Sequence, residues 1–125
     1  MCYNMNRPKY RICFYRTAGG RCQACDYARA MDINHQAKAK RWFQALAEMG
    51  PELPGEYGKR LRDGIWELRI IVLHHQHRFL YSFWGNIVLV TNAFLKKSQE
   101  VPEGEIEKSI KAMADWQARR GWENL

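Results

Sequence analysis

Apolar residues recur along the chain with two periods, one typical of strands and the other of helices. Between residues 10 and 17 apolar and polar residues alternate, as in a half-buried strand, and a glycine pair then predicts a turn. A short helix is predicted at residues 25–31. A longer helix follows, with Asp32 or Asn34 as its N-cap and Gly50 after its last turn. Its apolar stripe consists of Ala39, Trp42, Phe43, Leu46 and Met49.

The second half of the chain predicts three strands and a final helix. The strands are predicted at residues 65–73, 77–84 and 87–94, with a hairpin tip at residues 74–76. The final helix begins at Pro102 and carries acidic residues in its first turn. The order β-α-α-β-β-β-α predicts a single small α+β domain over the 125 residues, in which an antiparallel sheet is flanked by helices.

Positive charge is in excess, and most of it lies in the body of the chain. There are 20 Lys and Arg against 13 Asp and Glu, and a domain this basic commonly binds a polyanion such as nucleic acid. Residues 1–48 carry nine basic and three acidic side chains, and residues 56–97 carry seven and three. From residue 98 onwards acidic side chains are in the majority. We therefore predict a folded cationic surface rather than a disordered basic arm; a basic protein without a polyanionic partner is the alternative.

No targeting or membrane-spanning segment is predicted, which favours a cytoplasmic location. Residues 1–8 are polar and no apolar run follows them, unlike a signal peptide. The longest apolar stretch, Ile87 to Val90, is too short to cross a membrane. The four cysteines are therefore expected to be reduced thiols.

Cys22 and Cys25 form a lone C-x-x-C motif. No second ligand pair at regular zinc spacing accompanies it, and no thioredoxin-like context surrounds it. His35 or the histidines at positions 74, 75 and 77 could complete a zinc site in three dimensions, but nothing in the spacing demands one. We predict neither a metal nor a cofactor.

The predicted sheet gathers basic side chains on the face opposite its apolar one. Arg69 and Arg78 project from neighbouring strands, and Lys96 and Lys97 follow the third. We expect this face to be exposed, with Glu67 beside Arg69. Fixed cations bind phosphate and stabilise the charge of its transition state, while RNA supplies a nucleophile in its own 2′-hydroxyl. A solvated cationic face, with its arginines paired to acidic neighbours, is the alternative.

Three motifs in this region occur in a fixed order. Tyr57–Arg69 reads Y-G-K-R-L-R-D-G-I-W-E-L-R, His77–Tyr81 reads H-R-F-L-Y, and Asn92–Pro102 reads N-A-F-L-K-K-S-Q-E-V-P. Together with the early strand and the helix ending at Glu48-Met-Gly-Pro51, they resemble the RelE/HigB superfamily of toxins, above all its phage-derived branch. The likeness covers roughly residues 9–117, which would then form the core of the domain.

This resemblance implies a RelE-like fold and the toxin of a type II toxin–antitoxin system. Such toxins enter the A site of the 70S ribosome and cleave mRNA there as metal-independent endoribonucleases. They are neutralised by a cognate antitoxin, which in this branch is often a helix-turn-helix DNA-binding protein. Cleavage uses the mRNA 2′-hydroxyl, with Arg and Lys side chains on the phosphate.

The resemblance also implies residue roles. By position, Arg69 matches the final Arg of W-E-L-R, Arg78 matches the Arg of the next strand, and Lys96 matches the first of the paired lysines after Phe94. Arg78 and Lys96 are thus assigned to phosphate and transition-state binding, and Arg69 to phosphate positioning. Contacts to the RNA backbone are assigned to Lys59, Arg60, Arg62 and Lys97.

The resemblance does not identify the group that accepts the proton of the 2′-hydroxyl. Glu67, His75 and His77 are the candidates, and the sequence does not rank them. Relatives often carry an aromatic residue at position 77, and several use a C-terminal Tyr or His, which is absent after Lys97. Two other functions stay open: a catalytically silent RNA- or ribosome-binding member of the same fold, and a phage accessory protein acting through protein–protein contacts.

Overall fold

The computed structural model describes the backbone of residues 8–123 and the side chains up to residue 120, and within that range it is a five-stranded sheet with three helices. The predicted lack of a signal peptide rests largely on residues 1–7, which lie outside the described residues. The elements are β1 (Arg11–Phe14), α1 (Gln23–Ala30), α2 (Ile33–Met49), β2 (Gly58–Arg60), β3 (Trp66–Val72), β4 (His75–Trp84), β5 (Ile87–Leu95) and α3 (Glu103–Glu123).

The strand order is β1-β5-β4-β3-β2, and the sheet is mixed rather than antiparallel. Strands β2 to β5 form an antiparallel meander, but β1 pairs with β5 in parallel. The prediction of an antiparallel sheet is therefore wrong at this pair. Two helices and three strands separate β1 from β5, and a connection of that length allows a parallel neighbour, which a tight hairpin does not.

Both predicted boundaries of α2 are confirmed. The Asp32 side chain accepts a hydrogen bond from the Asn34 N–H at 2.9 Å, as an N-cap does. Gly50 ends the helix with a φ of 56°, and a Cβ there would lie 2.2 Å from the Tyr10 ring. Only glycine fits both this backbone conformation and this close approach.

Helices cover both faces of the sheet. The face under α1 and α2, called the α1/α2 face here, buries a core to which the strands contribute Leu68, Ile70, Phe79, Tyr81, Val88 and Val90. The opposite α3 face packs Leu80 and Phe94 against Ile106 and Ile110 of α3. Each large apolar side chain buried in this way stabilises the fold by roughly 1.5–3 kcal/mol. Because α3 packs on β4 and β5, it leaves uncovered the part of the sheet's α3 face that lies near β2 and the β3–β4 turn. Polar residues occupy this part.

The turn between β3 and β4 consists of Leu73 and His74, so it begins one residue earlier and ends two residues earlier than the predicted tip at residues 74–76. Leu73 has a φ of 55°, in the left-handed region that tight hairpins use. His75 and Gln76 are consequently strand residues, opposite Val72 and Ile71. Strand alternation then places His75 and His77 on one face and Gln76 and Arg78 on the other.

The prediction of reduced cysteines is wrong for one pair. Cys22 and Cys25 are joined by a disulfide at the start of α1, where a three-residue separation brings their Cα atoms to 5.3 Å, within the range that a disulfide spans. Cys13 is the free cysteine of the described part of the chain, and Cys2 lies outside it. In the same part of the chain, no helix combines the length and the apolar character needed to cross a membrane.

Candidate functional site

Strand register brings the predicted basic residues together on the α3 face. Lys59 of β2 pairs with Glu67 of β3, and Arg69 pairs with Arg78 of β4. Lys96 follows β5 directly, and its backbone N–H donates to a carbonyl of β4. The predicted gathering of cations beside Glu67 is therefore present in the fold.

A single carboxylate lies among these cations. Oε1 of Glu67 lies 3.3 Å from Nε of Arg69 and 3.5 Å from Nε of Arg78. Two guanidinium groups directly opposite each other on neighbouring strands repel, and the carboxylate offsets that repulsion. Lys59 and Lys96 add two further cations, so the cluster of four cations and one carboxylate carries a net charge of +3.

The prediction that this face is exposed holds for only some of its residues. Arg78 and Glu67 are buried, with 0% and 1% of their surface exposed, and form the floor of the cluster. Arg69 and Lys96 are half-buried and Lys59 is exposed. The buried pair lies in mid-sheet, whereas Lys59 lies on the edge strand β2 and Lys96 lies beyond the end of β5. Arg69 lies within β3, just past the last residue that pairs with β2.

Burial and neighbouring charges act on two of these cations. Burial lowers the pKa of Arg78, Glu67 opposes the shift, and Arg69 adds to it. The pKa of Lys96 is lowered first by burial and then by Arg78, Arg69 and Lys59, with Glu67 again opposing. Lys96 therefore gives up its proton more readily than an ordinary lysine.

A cleft of about 910 Å³ opens above the floor of the cluster. On the side of the sheet it is lined by Lys59, Arg69, Lys96 and Lys97. His74 of the β3–β4 turn lines it as well, together with His75 and Gln76 at the start of β4. Arg78 borders a second cleft of about 360 Å³ near α2, which Arg69 also lines. The larger cleft is open and cationic, which suits a flexible polyanion better than a small apolar ligand.

Two of the predicted RNA contacts lie elsewhere. Arg60 follows Lys59 on β2, and alternation directs its side chain to the opposite face. Arg62 pairs with the carboxylates of Asp63, Glu103 and Glu107, so that its charge is used to dock α3. The structure therefore gathers Lys59 and Lys97 at the cleft but not Arg60 or Arg62.

The three candidate proton acceptors lie in different places. Glu67 is on the floor of the cationic cluster, and its Oε2 is buried without a hydrogen-bond partner. His77 is buried on the α1/α2 face, where its Nδ1 lies 2.7 Å from Oη of Tyr27. The ring of His75 packs against that of His35 on the same face, although His75 also lines the cleft. Glu67 is thus the one candidate that shares a face with the four cations.

Gln76 is a site residue that the sequence prediction missed. Its Oε1 accepts a hydrogen bond from Nη2 of Arg78 at 2.8 Å, and its carbonyl oxygen accepts one from the Lys96 N–H at 2.8 Å. Placing the hairpin tip at residues 74–76 hid this role. With β4 starting at His75, the two-residue period alone puts Gln76 beside Arg78.

The buried histidine gives the fold a pH dependence. Burial lowers the pKa of His77 to about 4, and His35, His75 and Arg78 act in the same direction. The folded state therefore favours neutral His77, and this contribution to stability is complete above pH 6.5 and is lost as the pH falls towards 4. A shift of this size corresponds to roughly 3 kcal/mol of unfolding free energy.

Urea unfolding at pH 7 and pH 4.5 measures this contribution. We expect the loss of stability on acidification to be smaller for His77→Gln than for wild type, by up to roughly 3 kcal/mol. His74→Gln, the same change at the exposed turn, is the control and should behave as wild type. Equal pH dependence in wild type and His77→Gln would rule out a buried neutral His77.

Comparison with known proteins supports the family suggested by the motifs. A family model described as phage derived protein Gp49-like (DUF891) matches residues 26–114, more than two thirds of the chain, including α2, β2 to β5 and the first half of α3. A search of curated proteins finds no significant match. The matched segment holds Lys59, Glu67, Arg69, Arg78 and Lys96. The chain therefore belongs to the phage-derived Gp49-like family, within the RelE/HigB-like clan of toxin–antitoxin toxins.

Proposed function

We propose that the chain is the toxin of a type II toxin–antitoxin pair and that it cleaves mRNA on the ribosome as a metal-independent endoribonuclease. The observation that carries the proposal is the cluster of four cations around one carboxylate beneath an open cleft. Phosphodiester cleavage places growing negative charge on phosphate oxygens, and preorganised cations stabilise that charge most in the transition state.

The accessible cations have the roles of substrate contacts. Arg69, Lys59 and Lys96 line the cleft and hold the scissile phosphate, with Arg69 offering a planar fork to its oxygens. Arg78 lies below them, at 0% exposure, and acts through its field and by anchoring Glu67. In this scheme Arg78 is a positioning residue rather than one that touches RNA.

Glu67 and Lys96 supply the proton transfers in the proposed reaction. Glu67 is 1% exposed beneath Arg69, so it reaches the 2′-hydroxyl and takes its proton only when the phosphate draws Arg69 away and uncovers the carboxylate. The 2′-oxygen then attacks phosphorus, and the bond from phosphorus to the 5′-oxygen breaks. The Lys96 ammonium, with its lowered pKa, protonates the leaving 5′-oxygen. The products are a 2′,3′-cyclic phosphate and a 5′-hydroxyl.

The ribosome and an antitoxin complete the proposal. A carboxylate held by two guanidinium groups is a weak base, so the RNA backbone must be bent into line before attack is fast. The A site of the 70S ribosome holds mRNA in a fixed conformation and can provide that alignment. Toxins of this clan act with an antitoxin, and we propose a helix-turn-helix DNA-binding antitoxin as the cognate partner.

Cleavage in a translating extract tests the proposed function. The purified chain is added to an extract translating a defined mRNA, and the 5′ ends of the fragments are mapped by primer extension. We expect cuts inside the reading frame, and none in a control mRNA whose start codon has been removed. Ribosome binding without cuts would favour the catalytically silent member of the fold. Neither binding nor cuts would favour an accessory protein that acts through protein contacts.

A further inference from the structure

A chain of side chains joins three elements on the α1/α2 face, behind the cationic cluster. Tyr27 of α1 hydrogen bonds to Nδ1 of His77 at 2.7 Å, and Nε2 of His77 lies 2.9 Å from Nδ1 of His35 on α2. The ring of His75 lies 5.1 Å from the ring of His35 and parallel to that of His77. We call His35, His75 and His77 the histidine cluster. The cleavage chemistry proposed above makes no use of it.

The hydrogen bonds of the histidine cluster run in one defined direction when it is neutral. Burial raises the pKa of Tyr27, so its hydroxyl keeps its proton and donates to Nδ1 of His77. His77 then carries its proton on Nε2 and donates to Nδ1 of His35. An imidazolium at His35 carries protons on both nitrogens, so two N–H groups would face each other across 2.9 Å. Proton uptake at His35 therefore breaks or reverses the chain.

The charges around the histidine cluster add to this conflict. His77 faces Tyr27 from α1 and His35 from α2, with His75 and Arg78 beside it on its own strand. Of these neighbours, His35, His75 and Arg78 each disfavour a proton on His77. His74 stacks on His75 at the turn, and Lys38 of α2 bonds to the carbonyl of Ile71 on the adjoining strand. Within the described residues, no carboxylate acts on His77 to offset the added positive charge.

One residue links the histidine cluster to the cationic cluster on the other face. Gln76 lies between His75 and His77 on β4, and its side chain points to the α3 face. It accepts hydrogen bonds from Arg78 through Oε1 and from the Lys96 N–H through its carbonyl, both at 2.8 Å. Because His75, Gln76 and His77 are consecutive on β4, a displacement of the two histidines moves Gln76 as well.

We propose that the histidine cluster is a proton-controlled latch. When the cluster is neutral, it fixes Gln76, and Gln76 in turn positions Arg78 and Lys96. When the cluster takes up protons, Gln76 moves and Arg78 and Lys96 lose their positions. Gln76 is then a positioning residue, and cleavage slows on mild acidification through loss of alignment rather than loss of affinity. The effect on cleavage rests on the proposed function, whereas the movement of Gln76 and Lys96 does not.

Nuclear magnetic resonance of the protein alone tests the latch without reference to cleavage. In a titration from pH 8 to pH 4 we expect the side-chain amide of Gln76 and the backbone amide of Lys96 to shift with the same midpoint as the ring protons of the cluster histidines, because proton uptake by the cluster is what moves both residues. In His35→Gln the amide oxygen still accepts from His77 but takes up no proton, so both shifts should shrink. His74→Gln, at the exposed turn, is the matched control and should titrate as wild type. Static resonances in wild type, or equal shifts in wild type and His35→Gln, would overturn the latch.

Single-turnover cleavage on preformed ribosome–mRNA complexes then connects the latch to the reaction. At saturating protein we expect the wild-type rate to fall about tenfold as the pH is lowered through the midpoint that the resonances give, and the His35→Gln rate to change by no more than about twofold. Identical pH profiles for the two proteins would overturn the link to catalysis. If the resonances titrate as expected but no mRNA is cut at any pH, the proposed function fails and the latch stands.

Discussion

Replacing Lys96 with alanine is expected to lower the single-turnover cleavage rate by about 10²–10³-fold, the usual effect of removing one preorganised transition-state contact. Lys96 lines the cleft, and its ammonium lies near Glu67, Arg69 and Arg78 in a partly buried setting. There its charge is screened less by water than that of a surface lysine. Binding of the ribosome complex should weaken far less, because Lys59, Arg69 and Lys97 also line the cleft and keep its positive charge.

Lys97 offers the matched control for this substitution. It is the next residue, carries the same charge, lines the same cleft and is exposed. Lys97→Ala should therefore reduce affinity slightly and leave the saturated rate within about threefold, as expected for an exposed, screened charge. If Lys96→Ala and Lys97→Ala slow cleavage equally, the cleft attracts RNA by net charge and Lys96 has no special role in the reaction.

An arginine at position 96 separates charge from proton transfer. Arginine keeps the positive charge but does not release a proton at neutral pH. If Lys96 also protonates the leaving oxygen, Lys96→Arg should recover only the electrostatic part of the loss and stay well below the wild-type rate while binding normally. Recovery of most of the wild-type rate would limit Lys96 to electrostatic stabilisation.

Glu67→Gln should lower the free energy of unfolding by about 3–5 kcal/mol, as breaking a buried ion pair does. The change leaves Arg78, with 0% exposure, directly opposite Arg69 without a counter-charge between them. Urea unfolding at neutral pH measures the loss. The double variant Glu67→Gln/Arg78→Met removes the stranded cation as well and should recover much of the stability, because no buried charge is then left without a partner.

Glu107→Gln is the control for this prediction. Glu107 also pairs with an arginine, Arg62, at 3.2 Å, but its side chain is 53% exposed. An exposed pair contributes about 0–1 kcal/mol, so this variant should unfold nearly as wild type does. If the two glutamine variants are equally stable, Glu67 is not the counter-charge that the cationic cluster requires.

Periodicity predicted most of the elements, because each of them has an apolar side to bury. The alternation that places Leu68 and Ile70 on one face also placed Arg69 on the other, so the gathering of cations on one face followed from the same signal. β2 was not predicted, because a strand of three residues is too short to show a period. The parallel pairing of β1 with β5 was not predicted, because it joins segments that are far apart in the sequence and local patterns do not encode such contacts.

Burial of the candidate site could not be predicted from the pattern. Charged residues are usually exposed, so nothing in the sequence marks Arg78 and Glu67 as a buried floor. The Tyr27–His77–His35 chain joins residues on three elements, and local patterns do not predict such contacts. The role of Gln76 was missed because the predicted hairpin tip included it, although the turn ends at His74 and Gln76 lies on β4. The spacing of Cys22 and Cys25 allows a disulfide but does not require one, because its formation also depends on the local backbone geometry.

The chemical nature of the new RNA ends tests the central claim most directly, because it shows which oxygen attacked the phosphate. Fragments from a translating extract are isolated and their termini identified by their response to phosphatase and kinase and by mass. Attack by the 2′-hydroxyl among fixed cations predicts a 2′,3′-cyclic phosphate or its 3′-phosphate on the upstream fragment and a 5′-hydroxyl on the downstream one. A 3′-hydroxyl with a 5′-phosphate would contradict the proposed reaction, since it requires water as the nucleophile.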